Sequence, residues 1–156
     1  MIEDLDHLVE VAVKEVFGTM LNFHVVRDLS GAAPLNGEAH VAGSVGFTGR
    51  AIGVIYIYAA TTFARQITGV LLGLNEKEVA GDEMVNDAIG EITNMVVGHL
   101  KSRLSDRGIP CVLTLPSIVR GTHFRIESNS TTQRGLAVFR CQKNQFVVET
   151  LIKPST

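Results

Sequence analysis

A carboxylate and an amide stand three residues apart in the longest helical pattern of the chain. They are Glu91 and Asn94, and Asp87 lies four residues before the glutamate. Side chains three or four positions apart are neighbours on one face of a helix, so Glu91 and Asn94 can touch the same object. The spacing therefore predicts a polar helix face whose two side chains can contact one partner together.

Two glycines flank Asn94 at helical spacing, Gly90 four residues before it and Gly98 four residues after it. Each costs a helix about 1 kcal/mol relative to alanine, and a plain solvent-facing helix does not need them. We interpret them as clearance for a closely approaching protein, with Met95 and Val97 adding exposed apolar contact at the margins. The alternative is that either glycine serves close packing inside the protein, because Glu and Asn are common on exposed faces.

The helical pattern that carries these residues runs over Asp82–Ser105, with Asp82 as the predicted N-cap. Asp87, Glu91, Asn94 and Gly98 fall on the side opposite to its apolar stripe. Arg103 is expected to snorkel from the end of that stripe, and His99 to pack at its edge. The members of the stripe are Val85, Ala88, Ile89, Ile92, Val96 and Leu100.

The first half of the chain predicts a helix followed by strands. Apolar residues at helical spacing indicate an amphipathic helix over Ile2–Leu21, and a strand near Phe23–Arg27 follows. After the turn-rich SGAAPLNG, the runs HVAGSVGF and AIGVIYIYA are joined by TGR and predict a β-hairpin. Its second strand is apolar on both faces, so it should lie centrally and be covered on each side.

A short helix should follow the hairpin. Thr61 or Thr62 can cap its start, it reaches about Leu72, and Gly73 or Asn75 can end it. The charged segment NEKEVAG then leads into the long helix.

After the long helix the pattern changes to strands, in the runs IPCVLTLPSIVRG, THFRIES, GLAVFRCQ and QFVVETLIK. Lys143-Asn144 is the predicted turn of the last hairpin. This order of elements predicts one α+β domain over residues 1–156, with a largely antiparallel sheet and helices packed on it. Each half is a helix followed by strands that end in a hairpin, which hints at two pseudo-repeated halves.

Composition narrows the function classes. The chain has 156 residues, 46% of them hydrophobic, and a net charge of −2 without a basic cluster, so nucleic-acid binding is not expected. No apolar run approaches the roughly 18 residues of a membrane span, and the acidic start MIEDLDHLVE does not resemble a signal peptide. Cys111 and Cys141 lie in predicted strands as buried thiols rather than a disulfide framework. We therefore expect a cytoplasmic protein.

The sequence contains none of the common self-contained catalytic motifs. It has no P-loop, dinucleotide fingerprint or nucleophile elbow, and GFTGRAIG is better explained as a hairpin turn than as a phosphate cradle. Its five histidines are scattered, and none forms a pair at metal-ligand spacing, so no metal site is predicted. This pattern favours a protein that acts on the chemistry of a partner.

Several segments together resemble the CheC/CheX/FliY family of phosphatases. The pattern Asp87-x-x-x-Glu91-x-x-Asn94, followed about two dozen residues later by Pro116, is similar to the family signature, although the gap to the proline is one residue shorter. GEITNMVVGHLKSRL and GIPCVLTLPSIVRG are most similar to CheX members, and KEVFGTML and GSVGFTGRAIGVIYIYA fit the same family. Relatives of the CheC type carry two such sites. The first helix here offers only Glu15-Val16-Phe17-Gly18, without the asparagine, so we expect one site per chain.

The resemblance implies hydrolysis of the aspartyl phosphate of a CheY-like response-regulator receiver domain. The receiver would supply its own Asp, Lys and Mg²⁺, so the phosphatase would carry no cofactor of its own. Asn94 would orient the attacking water and Glu91 would pair with the receiver's Lys. Asp87, Gly90 and Gly98 would contact the partner.

The resemblance also implies a homodimer formed by joining sheets. Two alternatives remain open at this point. The same helix face could belong to a non-catalytic adaptor that binds a receiver or another signalling protein, or the chain could be a structural dimerisation module.

Overall fold

The computed structural model describes residues 2–30, 38–122 and 132–154. Three α-helices are present in these ranges, together with a 3-10 turn at Glu76–Glu78: α1 Leu5–Leu21, α2 Thr61–Leu72 and α3 Asp82–Asp106. The strands are β1 Val26–Arg27, β2 His40–Gly49, β3 Ala51–Ala60, β4 Cys111–Leu113, β5 Ser117–Gly121, β6 Gln133–Cys141 and β7 Asn144–Pro154. The α+β class predicted from the order of elements is confirmed.

All seven strands belong to one sheet, in the order β1-β6-β7-β3-β2-β4, and β5 pairs with β2 as well. Every pairing is antiparallel. The predicted hairpin is β2–β3, and β3 lies between β2 and β7. The predicted central position of β3 is confirmed, but not its cover on both faces. Ile55 and Ile57 are buried in the main core under the helices, whereas on the other face only a small cluster around Tyr58 is buried and Ile52 is 38% exposed.

The main core lies between the sheet and the three helices. Phe17 of α1 stacks on Phe146 of β7 at 4.7 Å between ring centroids, and Phe63 of α2 meets the same Phe146 ring at 5.8 Å. Ile92 of α3 is buried in the same cluster. Each helix therefore contributes one apolar face to a shared core, as its spacing predicts. None of the helices in the described ranges has the length and apolar character needed to span a bilayer.

Charged contacts hold α1 beside α3. Arg107, the C-cap residue of α3, donates two hydrogen bonds to the carboxylate of Asp4, at 2.7 and 3.0 Å, just before α1 begins. This pairing holds the pKa of the Asp4 carboxyl below its usual range. Further along, Arg103 of α3 lies 3.3 Å from a carboxylate oxygen of Glu15. The two helices consequently present a common outer surface.

Three strand predictions are corrected or fall outside the described residues. The strand expected near Phe23–Arg27 is limited to β1, two residues that pair with β6. The run IPCVLTLPSIVRG forms two strands, since Pro116 has no N–H to donate to a ladder and stands between them. SGAAPLNG beyond Ser30, and THFRIES beyond Thr122, lie outside the described residues.

The predicted helix caps are wrong at both starts. Thr61 and Asp82 are the first residues of α2 and α3, and the N-cap positions belong to Ala60 and Gly81. The Thr61 hydroxyl instead donates to the Ala39 carbonyl at 3.1 Å, and its backbone N–H donates to the same oxygen. Gly81 has φ 71° and ψ −177°, a conformation that favours glycine and turns the chain into α3.

Two further boundaries concern turns. Gly73, in the left-handed region at φ 69°, ends α2 as one of its two predicted stops, whereas Asn75 caps the 3-10 turn. The last hairpin turns at Gln142-Lys143, one residue earlier than expected, because Cys141 already pairs with Asn144.

Candidate functional site

The orientation of α3 agrees with the helical wheel. The residues of the predicted apolar stripe are between 1% and 3% exposed. On the opposite side, Asp87 and Glu91 are exposed, and Asn94 is half-buried. The carboxylate and the amide, one turn apart, therefore lie on the outer surface of the helix.

None of these three side chains is tied to another group in the described part of the chain. Within residues 2–30, 38–122 and 132–154, no hydrogen bond or ion pair is recorded for Asp87, Glu91 or Asn94. By contrast, the neighbouring Asn86 accepts from Arg120. The two carboxylates and the amide are therefore available to an outside molecule.

A close contact with the sheet positions the turn of α3 that carries them. Thr93 is fully buried, and a Cβ placed on Gly43 of β2 would lie 2.3 Å from its hydroxyl oxygen. The Thr93 hydroxyl donates to the Ile89 carbonyl at 2.7 Å, so its polar atom is satisfied beneath the helix. Only glycine at position 43 lets α3 approach β2 this closely.

Gly90 does not provide the open space for a partner that the sequence suggests. It is buried, and a Cβ placed on it would meet the Cβ of Pro116 at 3.5 Å and Ile118 at 3.9 Å. The space above Gly90 is therefore filled by the protein's own β4–β5 segment. For this glycine the alternative interpretation, close packing inside the protein, is correct. Val97, expected at the exposed margin, is 1% exposed and belongs to the core. The helical-wheel prediction for Val97 is wrong because α3 also packs against β4 and β5 on the flank where Val97 lies.

Gly98 keeps the clearance that the sequence suggests. A Cβ at this position would meet no atom within 4 Å. The glycine opens into a groove of about 400 Å³ between α3 and α1. Its other lining residues are Val16, Thr19, Met20, Met95, His99 and Ser102. The outer face of α3 thus continues into a partly apolar depression beside Asn94.

An arginine that the motif analysis missed fixes the start of α3. Arg120 of β5 donates to the Asn86 side-chain oxygen at 2.7 and 2.9 Å and to the Asp82 carbonyl at 3.2 Å. It lies 34 positions from Asn86, so no local spacing signals the pair. It joins the edge of the sheet to the helix turn that precedes Asp87.

The corresponding part of α1 is arranged differently. Glu15 lies 3.3 Å from Arg103 and 3.8 Å from His99, both on α3. Gly18 lies three residues after Glu15, at the position that corresponds to Asn94 after Glu91. Its surroundings are open, with no atom within 4 Å of an added Cβ. The carboxylate here is engaged within the protein, and the amide is missing.

Other reactive groups lie away from this face. Cys111 and Cys141 are free and buried, as expected from their strands, and burial raises the pKa of both thiols. In the described part of the chain no cluster of three His, Cys, Asp or Glu residues is placed to hold a metal ion.

Comparison with known proteins agrees with this fold. The family model described as "Chemotaxis phosphatase CheX" matches residues 41–140. The curated "CheY-P phosphatase CheX" of Thermotoga maritima is 26% identical over 117 residues, which cover 68% of this chain and 74% of that protein.

Solved structures of other proteins share the fold, and two of them serve as examples. Chemotaxis protein CheX of Vibrio vulnificus has a TM-score of 0.79 at 24% identity, covering 96% of this chain and 97% of that one. CheX in a CheX–CheY–BeF3–Mg²⁺ complex from Borrelia burgdorferi has a TM-score of 0.75 at 19% identity, covering 96% and 98%. The fold is that of the CheX-type α+β proteins. This chain belongs to the chemotaxis phosphatase CheX family.

Proposed function

We propose that this protein accelerates hydrolysis of the aspartyl phosphate on a CheY-like receiver domain, with Asn94 and Glu91 as its working residues. The observation that carries the proposal is the outward pair on α3, an exposed carboxylate and a half-buried amide without partners among the described residues. Membership of the CheX family and the curated Thermotoga relative support the reaction.

The chemistry requires little covalent help from the phosphatase. Water attacks phosphorus, the bond from phosphorus to the receiver's aspartate oxygen breaks, and phosphate and a carboxylate are released. Asn94 hydrogen-bonds the water through its side-chain amide and holds it in line with that bond. The close contact between Thr93 of α3 and Gly43 of β2 holds this turn of the helix, and so keeps the Asn94 amide in place during the attack.

Glu91 acts through binding rather than through bond formation. Its exposed carboxylate, one turn before Asn94, pairs with the receiver's Lys and fixes the helix in the receiver's active site. Asp87 lies one further turn along the same exposed face and extends this contact. Gly98 allows the partner to approach the helix backbone.

The metal ion in this reaction belongs to the receiver. The CheX–CheY complex from Borrelia burgdorferi contains Mg²⁺ and BeF3. In our proposal a receiver-bound Mg²⁺ neutralises phosphoryl charge, and this chain contributes no ligand to it. The outward carboxylates of α3 bind the partner's cationic side chain instead.

The test follows phosphate loss from an acyl-phosphorylated, Mg²⁺-loaded receiver as the protein is added. We expect acceleration by the wild type. Asn94→Ala should lose about a hundredfold in kcat while receiver binding is largely kept, since a misplaced water costs rate rather than affinity. Glu91→Ala should weaken both binding and rate. Glu76→Ala is the matched control and should behave as wild type, because this residue of the 3-10 turn before α3 lines a separate pocket beside α2.

The outcomes separate the proposed activity from its alternatives. Full activity in both Asn94→Ala and Glu91→Ala would refute the assigned roles. A wild type that binds the phosphorylated receiver without accelerating phosphate loss would be the non-catalytic adaptor. A wild type that neither binds nor accelerates would point to the structural dimerisation module.

A further inference from the structure

The β4–β5 connection holds a leucine in solvent beside the candidate site. Leu115 is 87% exposed, although it directly precedes Pro116, which packs on Gly90 of α3. An exposed leucine alone is ordinary on a protein surface. This one is unusual because its position is fixed by contacts on both sides and because it adjoins the helix that carries Glu91 and Asn94.

The backbone on either side of Leu115 is rigidly attached. Thr114 and Gly46 of β2 exchange two hydrogen bonds at 2.9 Å: the Gly46 N–H donates to the Thr114 hydroxyl, and the Thr114 N–H donates to the Gly46 carbonyl. On the other side, Pro116 contacts Gly90. A side chain on such a segment loses little further backbone freedom when a partner covers it.

The order of contacts along α3 places Leu115 near Asn94. Arg120 bonds to Asn86, near the start of the helix, and Pro116 contacts the helix one turn later, at Gly90. The segment runs antiparallel to α3, so the residue before Pro116 lies further towards the next turn, which carries Asn94. Leu115 therefore flanks the site on the side opposite to the groove at Gly98.

We propose that Leu115 is an apolar anchor for the receiver domain, setting affinity rather than rate. This inference rests on the proposed function. If Glu91 and Asn94 enter the receiver's active site, the receiver surface around that site must extend over the segment beside them, and it buries Leu115. Protein interfaces combine apolar contacts that are buried at their core with polar contacts around them. The matching receiver surface is accordingly an apolar patch at the rim of its phosphorylation site.

The experiment compares steady-state dephosphorylation by the wild type, Leu115→Ser and Leu115→Met. We expect Leu115→Ser to raise KM about tenfold at nearly unchanged kcat, because it removes apolar burial that serves binding alone. Leu115→Met should stay close to wild type, since it keeps the apolar volume. The control is Leu29→Ser, which removes a leucine of 85% exposure next to β1, at the opposite edge of the sheet, and should leave KM unchanged.

Sedimentation of each variant accompanies the kinetics. An unchanged KM in Leu115→Ser, with an active wild type, overturns this inference and leaves the proposed function intact. A change in oligomeric mass caused by Leu115→Ser assigns the leucine to a contact between copies, and also overturns it. A wild type without activity overturns the proposed function instead.

Discussion

Gly98 and Gly90 have the same spacing from Asn94 but opposite surroundings. A methyl group at Gly98 would enter open space, whereas one at Gly90 would touch Pro116 at 3.5 Å. The sequence could predict that the helix face is special, because each mid-helix glycine carries a conformational cost. It could not say which glycine faces a partner, since Pro116 is distant in sequence and its position depends on the β4–β5 break.

Replacing the two glycines should therefore have different effects. Gly98→Ala should raise the free energy of unfolding by about 1 kcal/mol, because alanine is the better helix former and its methyl meets nothing. The same change should raise KM for the phosphorylated receiver if the partner approaches the backbone there. Thermal unfolding and dephosphorylation kinetics measure the two effects. Gly90→Ala adds its methyl under Pro116 and should bring less stabilisation. Gly18→Ala on α1, where an added Cβ also meets no atom within 4 Å, is the control and should leave KM unchanged.

A stabilised Gly98→Ala protein with wild-type KM would show that the clearance at this position is not used by the receiver. The partner contact would then be confined to the polar pair and the Leu115 side of α3.

At the level of elements, α3 is positioned by contacts on two flanks. Thr93 lies against Gly43 of β2, and Arg120 of β5 holds Asn86. The helical period predicted which side of α3 is buried, because apolar side chains recur with the turn of the helix. The helical period could not predict the contact with Gly43. A glycine within a strand has no side chain, so no sequence pattern marks it as a point of contact with a helix.

The contact between α3 and β2 can be tested by a pair of substitutions. Gly43→Ala should lower the free energy of unfolding by about 1–3 kcal/mol, because its methyl would overlap the Thr93 hydroxyl. Adding Thr93→Ala should recover part of this loss, so that the double variant is more stable than the sum of the single effects indicates. Denaturant unfolding of all four proteins measures the coupling.

Gly135→Ala in β6 is the matched control for a glycine in the sheet, since its Cβ would come no closer than 3.9 Å to Thr150. It should be nearly neutral. Strictly additive effects of Gly43→Ala and Thr93→Ala would contradict a direct contact between helix and strand as the source of the cost.

Across the whole molecule, the order of elements predicted the α+β class and the adjacent hairpin strands. It did not predict that β7 lies between β6 and β3, because that pairing joins Ala51 to Pro154 across most of the chain. Nor did it divide β4 from β5. Local periodicity reports which residues face a core, whereas the order of distant strands depends on long-range pairing that a single sequence does not encode visibly.

The sheet also bears on assembly. Its two ends are β1, with two residues, and β4, with three, and β5 continues the β4 side along β2. No other strand of residues 2–30, 38–122 and 132–154 pairs with the outer side of β4 or β5. Val112 of β4 and Val119 of β5 are 68% and 54% exposed. An unpaired edge with exposed β-branched residues is suited to pairing with another chain.

We therefore expect a homodimer in which the β4 and β5 strands of two copies meet edge to edge about a twofold axis, while the Leu115 side chain in the connection between them stays open to the receiver. Sedimentation equilibrium should give twice the mass of one chain. Val112→Lys combined with Val119→Lys should shift the protein to the monomer, because charged residues on an edge oppose strand pairing. Val70→Lys on α2, where the valine is 44% exposed, is the control and should stay dimeric. A wild type that sediments as a monomer contradicts the dimer itself, and a double variant that remains dimeric places the contact elsewhere on the molecule.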